Sequence, residues 1–226
     1  MIITIDGPAG TGKSTVARLL AERMGYTFFD TGAMYRAVTY ALLDRKIPFT
    51  DKAHIEELLA HFDFRIETTG GEHHYYVDNT DVSHAIRSAV ITKHVSEVAA
   101  LSVVREKMVV LQRRFAENGH SVFEGRDLGT VVFPNAELKV FLTASADIRG
   151  ERRFRELLFK RPSEAENLTK EQVMQDILRR DLQDSTRSHS PLKAADDAKV
   201  IDTSFMTIEE VVEAILAFGI GSHALS

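Results

Sequence analysis

The chain has 226 residues, 44% of them hydrophobic and 27% charged, with a formal net charge of −5, which is the composition of an ordinary soluble domain long enough to bury a core. The acidic balance argues against nucleic acid as a main partner, and the absence of cysteine excludes disulfide frameworks, thiolate metal sites and cysteine nucleophiles. No apolar run approaches the length of a membrane span and no basic leader opens the chain, so a cytoplasmic protein without a membrane partner is expected.

Ile2 to Ile5 is a short β-branched run that stops at Asp6-Gly7-Pro8, the pattern of a buried strand entering a glycine-rich turn. A helix follows, with Val16, Leu19, Leu20 and Met24 at helical spacing and Gly25 suited to a left-handed cap. Tyr26 to Phe29 reads as a second strand and Ala33 to Arg45 as a second helix, and this alternation favours a parallel α/β sheet. The texture then changes: Phe64-Arg-Ile-Glu and His74-Tyr-Tyr-Val, joined by Thr69-Gly70-Gly71, predict an antiparallel hairpin inserted into the alternating pattern. Helices are expected over Ser88 to Ala100 and Val103 to Glu117, the second with a stripe of Val104, Met108, Leu111 and Phe115. Core strands follow at Ser121 to Glu124, Leu138 to Leu142 and Val200-Ile201, making five in the sheet, with helices at 148–159, 170–187 and 208–218. The last two helices open with capping boxes, Thr169 with Gln172 and Thr207 with Glu210. One domain over 1–226 is expected, with a core of about 1–61 and 119–226 and an insertion of about 62–118.

Gly7-Pro8-Ala9-Gly10-Thr11-Gly12-Lys13-Ser14 fits G-x-x-x-x-G-K-[ST] and lies between a core strand and the start of a helix. Glycines let successive N–H groups turn inward and the helix start adds a positive dipole, so the loop is an anion cradle. Lys13 is placed for the β- and γ-phosphates of ATP and the Ser14 hydroxyl for Mg²⁺, with Thr15 closing the loop. The motif implies a P-loop three-layer α/β/α fold. An overlapping dinucleotide fingerprint, Gly10-x-Gly12 with Asp30 beyond it, fits less well because Thr15 replaces its third glycine and Lys13 crowds the turn. No D-x-x-G switch with its catalytic glutamine and no N-K-x-D guanine motif is present, which disfavours a GTPase switch. Arginines instead recur near element ends, at Arg36, Arg105, Arg126, Arg149, Arg152, Arg153, Arg179, Arg180 and Arg187. Transfer of a phosphoryl group to a phosphorylated acceptor needs that many fixed positive donors. Arg149, Arg152 and Arg153 share one helix face by spacing, and so do Arg180, Asp184 and Arg187, for which an intrahelical salt-bridge ladder is the competing reading. The nine histidines, His223 included, show no metal-ligand spacing, and Met24, Met34 and Met108 read as core filler.

The segments Asp30-Thr-Gly-Ala-Met-Tyr-Arg36, Ile86-Arg87, Val95-Ser96-Glu-Val-Ala99, Val104-Arg-Glu106, Gln112-Arg113, Glu124-Gly-Arg-Asp-Leu-Gly-Thr-Val-Val-Phe-Pro134 and Arg180 to Leu192 resemble, in order, the bacterial cytidylate kinases. The resemblance covers nearly the whole chain and implies ATP-dependent phosphorylation of CMP and dCMP, Mg²⁺ as cofactor, a monomer, and an enlarged monophosphate-binding insertion. It also implies a lid at about 149–163 and a site for each substrate. Gly7 to Thr15, Arg149 and Arg153 are implied for ATP, with Lys13, Arg126, Arg152 and Arg153 catalytic. Thr31 and Arg36 are implied near the acceptor, Arg36, Arg126 and Arg187 at its phosphate, Ser96, Arg105 and Asp127 at the cytosine, and Arg180 and Asp184 at the sugar. Thr31 departs from the serine frequent in that motif but keeps the hydroxyl.

Overall fold

The run Ile2–Asp6 forms strand β1 at the centre of a five-stranded, all-parallel sheet of order β2-β6-β1-β7-β8, where β2 is Thr27–Asp30, β6 Ser121–Gly125, β7 Leu138–Thr143 and β8 Lys199–Asp202. This computed structural model describes residues 1–70, 72–162, 166 and 168–218, so Gly71 of the hairpin turn, Ser163 at the end of the expected lid and His223 lie outside the described residues. A parallel central strand is covered on both faces, which is why Ile3 and Ile5 on one face and Thr4 on the other are all fully buried.

Helix α1 (Lys13–Met24) follows the glycine loop and ends at Gly25, whose φ of 66° provides the left-handed cap. Its Val16, Ala17 and Leu20 pack with Ile3, Ile5 and with Val211, Val212 and Ile215 of the last helix, Ile208–Leu216. Each such aliphatic side chain taken from water contributes roughly 1.5–3 kcal/mol, so this cluster holds the loop-bearing helix on the sheet. Between β7 and β8 lie two helices packed on each other, Ala146–Lys160 and Lys170–Thr186, joined by Leu157, Val173 and Ile177. Both predicted capping boxes form, at Thr169 and Thr207. These elements, with Met1–Asp30 and Ala116–Ser226, make one compact unit.

Thr31–Phe115 make the other. It holds α2 (Thr31–Asp44), α3 (Lys52–Ala60), a three-stranded antiparallel sheet of β3 (Phe64–Thr69), β4 (Glu72–Val77) and β5 (Thr80–Asp81), then α4 (Ala89–Val98) and α5 (Ser102–Phe115). The helix Ala146–Lys160 is therefore α6, Lys170–Thr186 α7 and Ile208–Leu216 α8. The unit begins at Thr31, earlier than the insertion expected over 62–118, because Met34, Val38 and Leu42 of α2 and Ile55 and Leu58 of α3 share one core with Phe64, Tyr75 and Val77 of the hairpin. Helix α3 and strand β5 have no counterpart in the sequence reading. The predicted stripe on α5 is buried at Val104 and Met108, with Leu111 and Phe115 half-buried against the same core. One expectation is corrected: α7 stops at Thr186, and Arg187 has extended backbone (φ −62°, ψ 143°), so it does not share a helix face with Arg180 and Asp184.

Candidate active site

The glycine loop is shaped by what surrounds it. Gly7 has φ 145°, and a Cβ there would collide with the Leu142 carbonyl oxygen of β7, so only glycine lets β1 turn away at this point. Gly12, at φ 89°, leads into α1, which begins at Lys13. The Lys13 side chain is buried and its Nζ donates to the Pro8 carbonyl at 2.6 Å, while Thr11 Oγ1 donates to the same oxygen at 3.2 Å. Burial, and next the charge of Arg126, hold the Lys13 ammonium well below the ordinary lysine range, with Glu124, Asp181 and Asp6 opposing. Ser14 Oγ donates to Glu124 Oε1 at 2.7 Å. Glu124 is buried at the carboxyl end of β6, beside β1, and burial together with the charge of Asp30 pushes its carboxyl up. The sequence reading missed Glu124. Its signal was present: a carboxylate at the carboxyl end of a strand, where ligands gather in parallel α/β sheets.

Asp6 closes β1 and accepts from the Leu128 N–H at 3.0 Å and the Gly129 N–H at 2.8 Å. That anchors the turn after Arg126-Asp127, whose next residues, Leu128–Val132, form a single π-helical turn. Such turns gather at functional sites. Arg126 Nε donates to Asp184 Oδ2 at 3.2 Å, and burial, which alone would lower its pKa, is outweighed by Asp184, Glu124 and Asp181, so the guanidinium is held charged. Arg187 donates from Nη2 to Asp127 Oδ1 at 3.3 Å and from Nε to the Ser190 carbonyl at 2.6 Å, which Ser190 presents by adopting φ 52°. The salt-bridge ladder along α7 is thus not formed, since Asp184 turns to Arg126 and Arg187 to Asp127. Arg180 Nε is buried with no hydrogen-bond partner, and enclosure followed by repulsion from Arg126 and Arg153 lowers its pKa to about 10.

The three arginines of α6 have different surroundings. Arg153 Nη1 donates to Glu156 at 2.7 Å, and Arg152 donates to the Thr203 carbonyl at 2.6 Å and to its Oγ1 at 3.1 Å. Arg149 is buried against the glycine loop and donates to the Ala9 carbonyl at 3.0 Å. Lys13, Arg126, Asp127, Arg180, Asp184 and Arg187 therefore form one charged cluster linked by hydrogen bonds and mutual fields.

The remaining predicted residues belong to the unit Thr31–Phe115. Thr31 opens α2 and is buried, and Ser96 is buried on α4. Arg36 donates to the Ile86 carbonyl at 3.2 Å and to Thr92 Oγ1 at 2.8 Å. Arg105 is buried on α5, donates to the Ala99 carbonyl at 3.2 Å and lies 5.6 Å above the Tyr35 ring, a cation–π contact that holds a desolvated guanidinium in place.

The family described as cytidylate kinase matches residues 3–219. The chain belongs to that family. It is 52% identical over 218 residues to a cytidylate kinase of Protochlamydia amoebophila, covering 96% of each chain, and 47% identical over 220 residues to one of Streptococcus pneumoniae, covering 95% of each. Among solved structures, an uncharacterized protein from Eubacterium ventriosum superposes with a TM-score of 0.50 at 13% identity, covering 96% of this chain and 97% of that one, a likeness of fold alone. No helix among the described residues is long and apolar enough to cross a membrane.

Proposed function

We propose that this chain transfers the γ-phosphoryl group of ATP to a phosphate oxygen of CMP or dCMP, giving ADP and CDP or dCDP. The observation that carries the reading is a cation cluster in a family member: Lys13, Arg126, Arg153 and Arg180 lie close enough for Arg126 to depress both Lys13 and Arg180. Repulsion of that kind is unfavourable in the free chain and is relieved by several anions at once, as when two phosphorylated substrates meet.

In the transfer, an acceptor phosphate oxygen forms a bond to the γ-phosphorus while the bond to the β–γ bridging oxygen breaks and ADP leaves. The attacking oxygen is already anionic near neutral pH, so no general base is required, and positioning with charge neutralisation supplies the rate. Gly7 to Thr15 cradle the ATP phosphates, with Lys13 leaving the Pro8 carbonyl for the β- and γ-phosphates. Arg126 and Arg153 face the group in transit, and Arg152 joins them by releasing Thr203. Arg36, Arg126 and Arg187 hold the acceptor phosphate, and Asp184 with Arg180 approaches the sugar. Ser96, Arg105 and Asp127 read the cytosine, whose exocyclic amine suits a carboxylate and whose N3 and O2 suit arginine and hydroxyl donors.

Mg²⁺ accompanies ATP in this proposal. The Ser14 hydroxyl, held at 2.7 Å by Glu124, and the Glu124 carboxylate, whose pKa burial and then the charge of Asp30 push up, suit a hard divalent cation. Among the described residues no group of three or more His, Cys, Asp or Glu could hold a metal by itself, so Ser14, Glu124 and Asp30 would hold Mg²⁺ together with the ATP phosphates. When bound it neutralises charge on the β- and γ-phosphate oxygens. The test is a panel of CMP, dCMP, UMP, AMP and GMP assayed with ATP and Mg²⁺. The highest kcat/KM is expected for CMP or dCMP, and equal or faster turnover of AMP would overturn the assignment.

A further inference from the structure

Arg149 and Asp181 together enclose one residue of the glycine loop. The Ala9 N–H donates to Asp181 Oδ1 at 3.1 Å, the Ala9 carbonyl accepts from Arg149 Nη1 at 3.0 Å, and the same Nη1 donates to Asp181 Oδ2. Arg149 Nε is directed elsewhere, to the Ala144 carbonyl at 3.0 Å. The Ala9 side chain packs on the apolar seam of α6 and α7, with Phe154, Leu157, Val173 and Ile177. Next to it, Gly10 sits so close that a Cβ would lie 3.0 Å from both Cβ and the carbonyl oxygen of Arg149. Both faces of this loop segment are therefore gripped by residues of α6 and α7.

We infer that Arg149 and Asp181 are positioning residues that hold the glycine loop in its anion-binding shape, and that Arg149 acts through Ala9 without touching a phosphate. Two observations point the same way. The guanidinium is buried, and its Nε and Nη1 are committed to two carbonyls and a carboxylate, which fixes it against the loop backbone and leaves only Nη2 for another partner. Asp181 also places a negative charge in the field of Lys13 and Arg126, which by charge alone weakens phosphate binding. Fixing the backbone donors before a ligand arrives gives that carboxylate its use, because preorganised N–H groups lose less freedom on binding.

The inference rests on the reading that Gly7 to Thr15 bind the phosphates of ATP, and the experiment separates the two. Kd for ATP and for inorganic tripolyphosphate, KM for CMP, and exchange of the Ala9 amide in the ligand-free chain are measured for Asp181→Ala, Asp181→Asn and Arg149→Lys. Hydrogen bonds to charged groups are worth enough that Asp181→Ala and Arg149→Lys should each raise Kd for both ligands about 10-fold, with KM for CMP within about twofold of the parent. Ala9 exchange should accelerate by a similar factor. Asp181→Asn keeps an acceptor for the Ala9 N–H and should lose less, about threefold, and it decides the matter if the alanine variant does not fold. The two losses should not add in the double variant Arg149→Lys with Asp181→Ala, since each acts on the same peptide. Tighter ATP binding in either Asp181 variant overturns the inference in favour of charge alone, and weaker ATP binding in Arg149→Lys with unchanged Ala9 exchange overturns it in favour of a direct phosphate contact. A parent chain that binds neither ATP nor tripolyphosphate overturns the phosphate reading instead, while Ala9 exchange still decides the brace.

Discussion

Arg187 Nη2 and Asp127 Oδ1 meet at 3.3 Å with each side chain only 6% exposed, so two groups expected to read opposite ends of a nucleotide are paired with each other. Removing one partner strands a buried charge, a loss of roughly 3–5 kcal/mol. Arg187→Met and Asp127→Leu are each expected to destabilise by that order, and the double variant by less than their sum. Denaturant titration of the four proteins measures the coupling, and strictly additive losses would show that the pair is not an energetic unit.

Asp127 also faces a specificity test. In the proposed base-reading role an alanine there would remove the acceptor for the cytosine amine, so kcat/KM for CMP should fall by more than that for UMP, by about 10-fold or more in the ratio. An unchanged ratio removes Asp127 from base recognition.

Lys13→Ala should reduce kcat by roughly 10³-fold or more if Lys13 serves the β- and γ-phosphates as proposed. The fold should survive, because burying that ammonium beside Arg126 is unfavourable in the free chain. Steady-state CDP formation with far-ultraviolet circular dichroism checks both halves, and near-normal turnover refutes the role.

Gly7→Ala tests the loop's geometry without touching charge. A Cβ at φ 145° meets backbone oxygen of β7, which cannot move without disturbing the central sheet. A loss above about 3 kcal/mol is expected, and a variant melting within a few degrees of the parent would contradict the close approach.

Asp6 supplies a pH dependence. Burial raises its pKa from 3.8 to about 6 against the opposing Gly129 and Leu128 N–H groups, with Asp127 adding to the rise. Between those values the folded chain binds more protons than the unfolded one, so this group's stabilising contribution is full below about pH 4 and is lost as pH rises through about 6, amounting to roughly 3 kcal/mol. Asn at this position does not titrate. The stability of Asp6→Asn relative to the parent should therefore increase by roughly 3 kcal/mol between pH 4 and pH 7 and be flat above, whereas parallel profiles would mean that Asp6 keeps its ordinary pKa.

Local chemistry was enough for most elements. The β-branched run before Gly7, the 3.6-residue stripes of α1 and α5, the glycine after α1 and the two capping boxes each act through neighbours a few residues away, and all appear in the structure. Helix α3 escaped because its nine residues carry only a short apolar stripe, Ile55, Leu58 and Leu59, which gains its stability from packing on α5 and the shared core.

The sequence by itself determined the anion cradle, because a strand, a Gly7 to Ser14 loop and a helix start are contiguous, and it determined the family through segments spread from Asp30 to Leu192. Only the tertiary structure decided who partners whom. Spacing put Arg180, Asp184 and Arg187 on one helix face, yet the helix ends at Thr186 and the carboxylates are taken by residues about sixty positions away, Asp184 by Arg126 and Asp127 by Arg187. Spacing likewise grouped Arg149 with its lid neighbours, although the fold buries it and brings it to the Ala9 carbonyl, 140 residues distant in the chain. The reason is physical: periodicity specifies which side chains share a face, but a buried charge takes whichever opposite charge and carbonyl the fold brings within hydrogen-bond reach, and that is a property of long-range contacts.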